Sequence, residues 1–317
     1  MEKEASQYKR ENQAGYQPEQ HAQDVTNREI FKNNRLVSQY LRNYTDIPIF
    51  ANVREEDVED VTQKYHAFLG VNFESDTVKR IMIRDTNGEV QREVYVISLI
   101  EHKSSVDYDV AMQLLRYMSM IWYECKIAQE KLREGSSERK SFRYPLIIPI
   151  VYYEGKRKWT AGLNLKDRTD YVAGTEKYIP DFQYEVAGSS KYTNEELSEK
   201  QDEMSLVMLM NKIQSEDDLE DFRALSEELV NTIFKNAPSE IQEIYMKILW
   251  ALLMKMKVSN EEAEDIVEHV RGGRSMGYLF ENMDEIDIQA ERRKTQKQRQ
   301  LTEEAHKETE KAQKECI

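Results

Sequence analysis

Cysteine is scarce in this chain: there are two, Cys125 and Cys316, far apart in the sequence. That excludes a disulfide framework and a cysteine-based zinc site, and it suits a reducing cytoplasm. Long apolar runs are also missing. The longest, 146–153 and 248–254, fall well short of the ~20 residues that a membrane span needs. The first residues, MEKEASQYKRENQ, are polar, so a secretory signal is not expected. No internal repeat of fixed period is visible. No serine or cysteine has an evident histidine partner nearby, so covalent nucleophilic catalysis is not indicated.

What is present is charge. Of 317 residues, 33% are charged and 39% hydrophobic, and the net charge is −14. Such a balance describes a water-soluble globular protein and looks wrong for a nucleic-acid binder, but its distribution matters more than its sum. Residues 76–160 carry 15 basic and 12 acidic groups, net +3, whereas 161–317 carry 21 and 34, net −13. One basic region therefore sits inside an acidic chain.

Hydrophobic periodicity divides the sequence into four parts: a polar, disordered tail (1–23), an α/β core (24–170), a helical region (171–283) and a charged helical or disordered tail (284–317). A helix is expected over 24–44, with Asp24, Thr26 or Asn27 as N-cap. Residues 54–69 read as a short helical or irregular element. Residues 76–84 and 93–103 are rich in β-branched and aromatic residues, with Asn87-Gly88 between them as a hairpin turn. A helix follows over 108–130, then a strand over 143–153 in which Pro145 and Pro149 argue against a regular central ladder. Beyond residue 200 the pattern is helical.

The stretch SLIEHKSS (98–105) drives an apolar strand straight into Glu101, His102 and Lys103. With Asn87-Gly88 as a two-residue turn, Thr86 faces Glu89 and Asp76 faces Leu99. Asp76, Leu99, Glu101 and Lys103 then share one face of the sheet. Two carboxylates and a backbone carbonyl such as that of His102 are hard oxygen donors suited to Mg²⁺ or Mn²⁺. An ammonium beside them can position a water or stabilise charge on a phosphoryl group. Metal-assisted phosphodiester hydrolysis is the reaction that such a set serves. The same three side chains also suit a structural ion pair at a strand end.

The segments SDTVKRI, VISLIEHKSS, MQLLRYM and PIVYYEGKRKW, in that order, resemble the Rpn group of recombination-promoting nucleases, also described as YhgA-like putative transposases, within the PD-(D/E)XK nuclease superfamily. The resemblance covers about residues 24–170. It implies an α/β fold with a PD-(D/E)XK restriction-endonuclease-like core, a mixed sheet flanked by helices, followed by an all-helical C-terminal region. It implies a Mg²⁺- or Mn²⁺-dependent DNA endonuclease of the bacterial cytoplasm, with Asp76 and Glu101 as metal ligands and Lys103 as the catalytic lysine. A non-catalytic DNA- or protein-binding module that keeps the fold is the alternative. Gln113 and Arg116, one helical turn apart, are candidates to meet DNA phosphates. So are Lys156, Arg157 and Lys158 beside Trp159, a basic aromatic loop that also suits an ordinary turn. The C-terminal helices are candidates for homo-oligomer contacts.

Overall fold

A computed structural model of the chain describes residues 29–62, 77–85, 87–101, 106–214, 218, 221–222, 225–256 and 258–273, with 98–101 described through their backbone. Two compact units divide at Lys212/Ile213.

The first unit is built on a five-stranded mixed sheet in the order β1-β2-β3-β4-β5. The strands are β1 (Val58–Asp60), β2 (Thr77–Arg84), β3 (Val90–Glu101), β4 (Leu146–Tyr153) and β5 (Glu185–Ala187). β1 and β2, and β2 and β3, pair antiparallel, whereas β3–β4 and β4–β5 are parallel. Helix α1 (Asn34–Tyr44) precedes the sheet, and the 23-residue helix α2 (Val110–Leu132) makes the crossover that the parallel β3–β4 pair requires. β5 adds a strand beyond those read from the sequence, carrying the sheet past residue 170.

Both faces of the sheet are covered. On β2 and β3, Val78, Tyr95 and Ile97 alternate with Lys79, Val94 and Val96, and all are buried. The first set packs with Val110, Leu114, Tyr117, Met118 and Ile121 of α2 and with Ile147 and Val151 of β4. On the opposite face, Tyr152 of β4 meets the rings of Phe31 and Tyr40 at centroid distances of 5.0 and 5.6 Å. A strand buried on both faces needs no apolar/polar alternation, which is why β4 reads as a continuous apolar run.

The expected helix over 24–44 is interrupted. Residues 29–32 are helical, Asn33 is extended, and α1 starts at Asn34. Asn33 Oδ1 accepts the Leu36 N–H at 3.0 Å, so the side chain replaces a backbone acceptor and begins a new helix. The expected caps Asp24, Thr26 and Asn27 lie outside the described residues.

Pro149 does sit inside a central strand, opposite Ile97 of β3. β5 reaches only Ile150–Tyr152, so at Pro149 one side of β4 has no strand neighbour. A proline needs one side free, and here it has it.

After β5 come α3 (Asn194–Lys200) and α4 (Glu203–Lys212). α3 opens on a capping box between Thr193 and Glu196. α4 is buried almost all round and docks on α1 through polar contacts: Glu203 accepts from Arg35 and Gln39, and Asp202 accepts from the Tyr44 hydroxyl and the Asn43 amide.

The second unit contains α5 (Glu227–Asn236), α6 (Ser239–Lys255) and α7 (Asn260–Gly273). Pro238 separates the first two, and the Gln242 amide donates to the Phe234 and Ala237 carbonyls at 3.1 Å, closing the end of α5 against the start of α6. Among the described residues no helix is long and apolar enough to cross a membrane.

Candidate functional site

The hairpin register decides which residues meet. From Thr77 to Ile83, β2 pairs with β3 so that Thr77 opposes Ser98, Val78 opposes Ile97 and Ile83 opposes Arg92. This is the register obtained from a two-residue Asn87-Gly88 turn. The turn itself is different. The Asp85 N–H donates to the Glu89 carbonyl at 2.9 Å, and the Gly88 N–H to the Asp85 carbonyl at 3.1 Å. Three residues are therefore spanned instead of two, with Gly88 at φ +85°. The Asp85 carboxylate accepts the Asn87 and Glu89 N–H groups and holds the loop. Arg84 then opposes Val90 rather than Gln91, and a bulge between Ile83 and Arg84 restores the original register. Two departures cancel before the far end of the hairpin is reached.

At that end Glu101 is the last residue of β3, opposite Tyr153 of β4. Asp76, His102 and Lys103 lie outside the described residues. Among the described residues no three His, Cys, Asp or Glu side chains are grouped to hold a metal ion.

The surroundings of Tyr153 define what borders this edge. Tyr153 is buried, and its ring contacts Trp159 edge-on at 5.1 Å. The Trp159 Nε1–H donates to the Tyr184 hydroxyl at 3.2 Å, which donates to the Gly162 carbonyl at 2.8 Å. Burial pushes the Tyr184 phenol above its ordinary pKa, so it stays a neutral donor. The hydroxyls of Tyr108 and Thr160 lie 2.8 Å apart, tying the start of α2 to the same loop. The loop from Gly155 to Thr160 is thereby moored by its aromatic residue, while Lys156, Arg157 and Lys158 project as exposed residues. Trp159 is a packing residue in this arrangement rather than an open stacking surface. Gln113 is half-buried and Arg116 exposed, one turn apart in the first half of α2.

Two features of this edge escaped the sequence reading. Glu154, next in the chain to Tyr153, is buried at 4% exposure and accepts the Asn211 amide at 2.6 Å. Its partner lies far along the chain on α4, so no local signal marks the pair. Gly188, immediately after β5, approaches the backbone of Tyr153 so closely that an added Cβ would lie 2.0 Å from its carbonyl oxygen. The glycine is required by close approach and not by its dihedral angles, which are extended.

A groove of about 540 Å³ lies at the other end of the hairpin, lined in part by Arg42, Arg54, Asp57 and Arg84. Its arginines are engaged: Arg84 with Asp57 and the Gly88 carbonyl, Arg42 with the Val53 carbonyl, and Arg54 with Glu56.

Neither the curated proteins nor the solved structures contain a match to the chain. One family model, described as "Putative transposase, YhgA-like", matches residues 28–240, well over half of the sequence. That span takes in the whole sheet, α1 to α5 and the start of α6, and the chain is a member of the YhgA-like putative transposase family.

Proposed function

We propose that the chain is a metal-dependent DNA endonuclease acting on phosphodiester bonds. Asp76 and Glu101 would hold Mg²⁺ or Mn²⁺, with the His102 carbonyl as a further oxygen donor, and Lys103 would be the catalytic lysine. The donor chemistry fits: carboxylates and a carbonyl are the ligands that these hard cations take.

The observation that carries the reading is the Thr77–Ser98 pairing. One further step of the same ladder would set position 76 opposite Leu99, on the side of the sheet that position 101 would share by strand alternation. That parity is also the parity of Tyr95 and Ile97, which pack under α2, so a site there would lie on the α2 side of the sheet. Membership of a family described as "Putative transposase, YhgA-like" supports DNA as the substrate.

When bound, the metal would lower the pKa of a coordinated water and polarise the scissile phosphate. In this proposal the residues' own tasks are simple. Asp76 and Glu101 orient the site by their carboxylate oxygens, and Lys103 keeps its ammonium beside the phosphoryl oxygens, where negative charge grows. Lys156, Arg157 and Lys158 extend from the adjoining loop and offer contacts to flanking phosphates.

Plasmid cleavage with Mg²⁺, Mn²⁺ or EDTA, comparing wild type with Asp76→Ala and Lys103→Ala, tests the reading. Metal-dependent nicking that both variants lose, with unchanged folding, is the expected result. Full activity in Asp76→Ala would overturn the site. A folded protein that cleaves nothing with metal present would be a binding module.

A further inference from the structure

We infer that the loop entering β4, centred on Tyr144, is a second nucleic-acid contact that binds an unpaired DNA strand. The partner is chosen as nucleic acid, over another polyanion, on the reading given above. The surface itself rests on separate residues.

Tyr144 is 51% exposed although it stands in an aromatic cluster. Its ring lies 5.0 Å from Phe142, edge to face, and 6.2 Å from Trp122. Trp122 is fixed in turn, because its Nε1–H donates to the Pro145 carbonyl at 3.0 Å. The result is an open ring held by two others and by the backbone entering a core strand. A stacking platform for bases requires this combination of rigidity and exposure.

Charge complements it. Residues 139–144 carry three cations, Arg139, Lys140 and Arg143, and no carboxylate. All three are exposed. Arg143 donates to the carbonyls of Lys140 and Phe142, which leaves guanidinium N–H groups over. Among the described residues none of the three has a carboxylate partner. Glu130, in the last turn of α2, is turned instead to the loop backbone, accepting from Gly135 and Ser137. In a chain of net charge −14, three exposed cations within five residues of an open tyrosine form a local exception to the acidic surface.

The partner follows from the chemistry. A duplex hides its base faces in the stack, leaving an aromatic ring only edges and phosphates to meet, whereas an unpaired strand offers base faces as well as phosphates. β4 runs from Leu146, beside the platform, to Tyr153, opposite Glu101. At 3.3 Å per residue that is about 23 Å, or about seven nucleotides of stacked strand. The geometry assigns to the proposed nuclease site a substrate with a single-stranded portion, such as a tail, fork or gap.

The test is fluorescence anisotropy of the full chain in EDTA, with a labelled oligothymidylate of about 20 nucleotides and a duplex of equal length. The expected result is tighter binding of the single strand. Tyr144→Ala weakens that binding about 5- to 150-fold, and Tyr144→Phe leaves it unchanged. Combined Arg139→Ala, Lys140→Ala and Arg143→Ala lowers the slope of log affinity against log salt by about two. Thermal unfolding checks that each variant is folded.

Wild-type affinity in Tyr144→Ala, preference for the duplex, or equal competition by polyglutamate would each overturn the inference. Loss of cleavage in Asp76→Ala with single-strand binding intact keeps the two readings apart. Metal-dependent cleavage with Tyr144→Ala binding normally removes the platform alone. A protein that never cleaves but loses single-strand binding in Tyr144→Ala removes the endonuclease alone.

Discussion

Lys79 is the sharpest test of how this sheet is held together. It lies in β2 at 1% exposure, with its ammonium 2.9 Å from Asp60 on β1 and near the Lys32 carbonyl at 3.3 Å. Asp60 is less buried: its side chain keeps 31% exposure and also accepts the Thr62 N–H. Removing either partner is therefore not symmetrical. Asp60→Ala leaves a buried cation without its anion, a change that costs about 3–5 kcal/mol. Deprotonation caps the loss. From an ordinary pKa of 10.5, neutralising Lys79 at pH 7 costs at most about 5 kcal/mol, at about 1.4 kcal/mol per pH unit. Lys79→Met removes the buried charge itself and leaves Asp60 partly in water, so its expected cost is below about 1.5 kcal/mol. The double variant should recover most of what Asp60→Ala loses.

The pH dependence has a definite sign. Burial lowers the Lys79 pKa, and Asp60 partly offsets that. Without Asp60 the depression deepens, so between the folded value and 10.5 the unfolded chain binds more protons, and stability rises with pH. Urea unfolding of Asp60→Ala near neutral pH and again near pH 10 should show the gap to wild type narrowing. Equal losses for Asp60→Ala and Lys79→Met, or a gap that does not change with pH, would refute the reasoning.

Gly188→Ala drives a Cβ to within 2.0 Å of the Tyr153 carbonyl oxygen, and backbone cannot swing aside as a flexible side-chain end can. The expected cost is about 1–3 kcal/mol, read as a lowered denaturation midpoint with unchanged slope, and wild-type stability would show that the approach is looser than described. Glu203 supplies an acid-side prediction. Burial pushes its carboxyl up, but the Gln39 and Arg35 hydrogen bonds outweigh this and leave it below the ordinary 4.5. Its stabilisation is present above pH 4.5 and is lost as pH falls through the lowered value. Glu203→Gln should therefore flatten acid unfolding below that pH, and an unchanged acid limb would count against the α1–α4 contact.

Local chemistry and periodicity carried the element types a long way. The run of strands, helix and strand, the length of α2 and the apolar character of β4 all follow from residue pattern, because a sheet buried on both faces and its crossover helix leave direct marks in hydrophobic spacing. The hairpin register from Thr77 to Ile83 was legible too, although the turn that generates it was not. Asn87-Gly88 signals a turn without its length, and Asp85 turned a two-residue loop into three by accepting two backbone N–H groups.

Tertiary structure decided the rest. Pro149 found a half-free central strand, and Gly188 met Tyr153 only once β5 lay beside β4. Glu154 and Asn211, like Arg35 and Glu203, pair across long stretches of chain, and nothing in either local sequence specifies the other. Periods and turn signals could be read from the chain because neighbours a few residues away set them. Approaches between distant backbones, and the partners of buried charges, come into being only after the chain has closed around them.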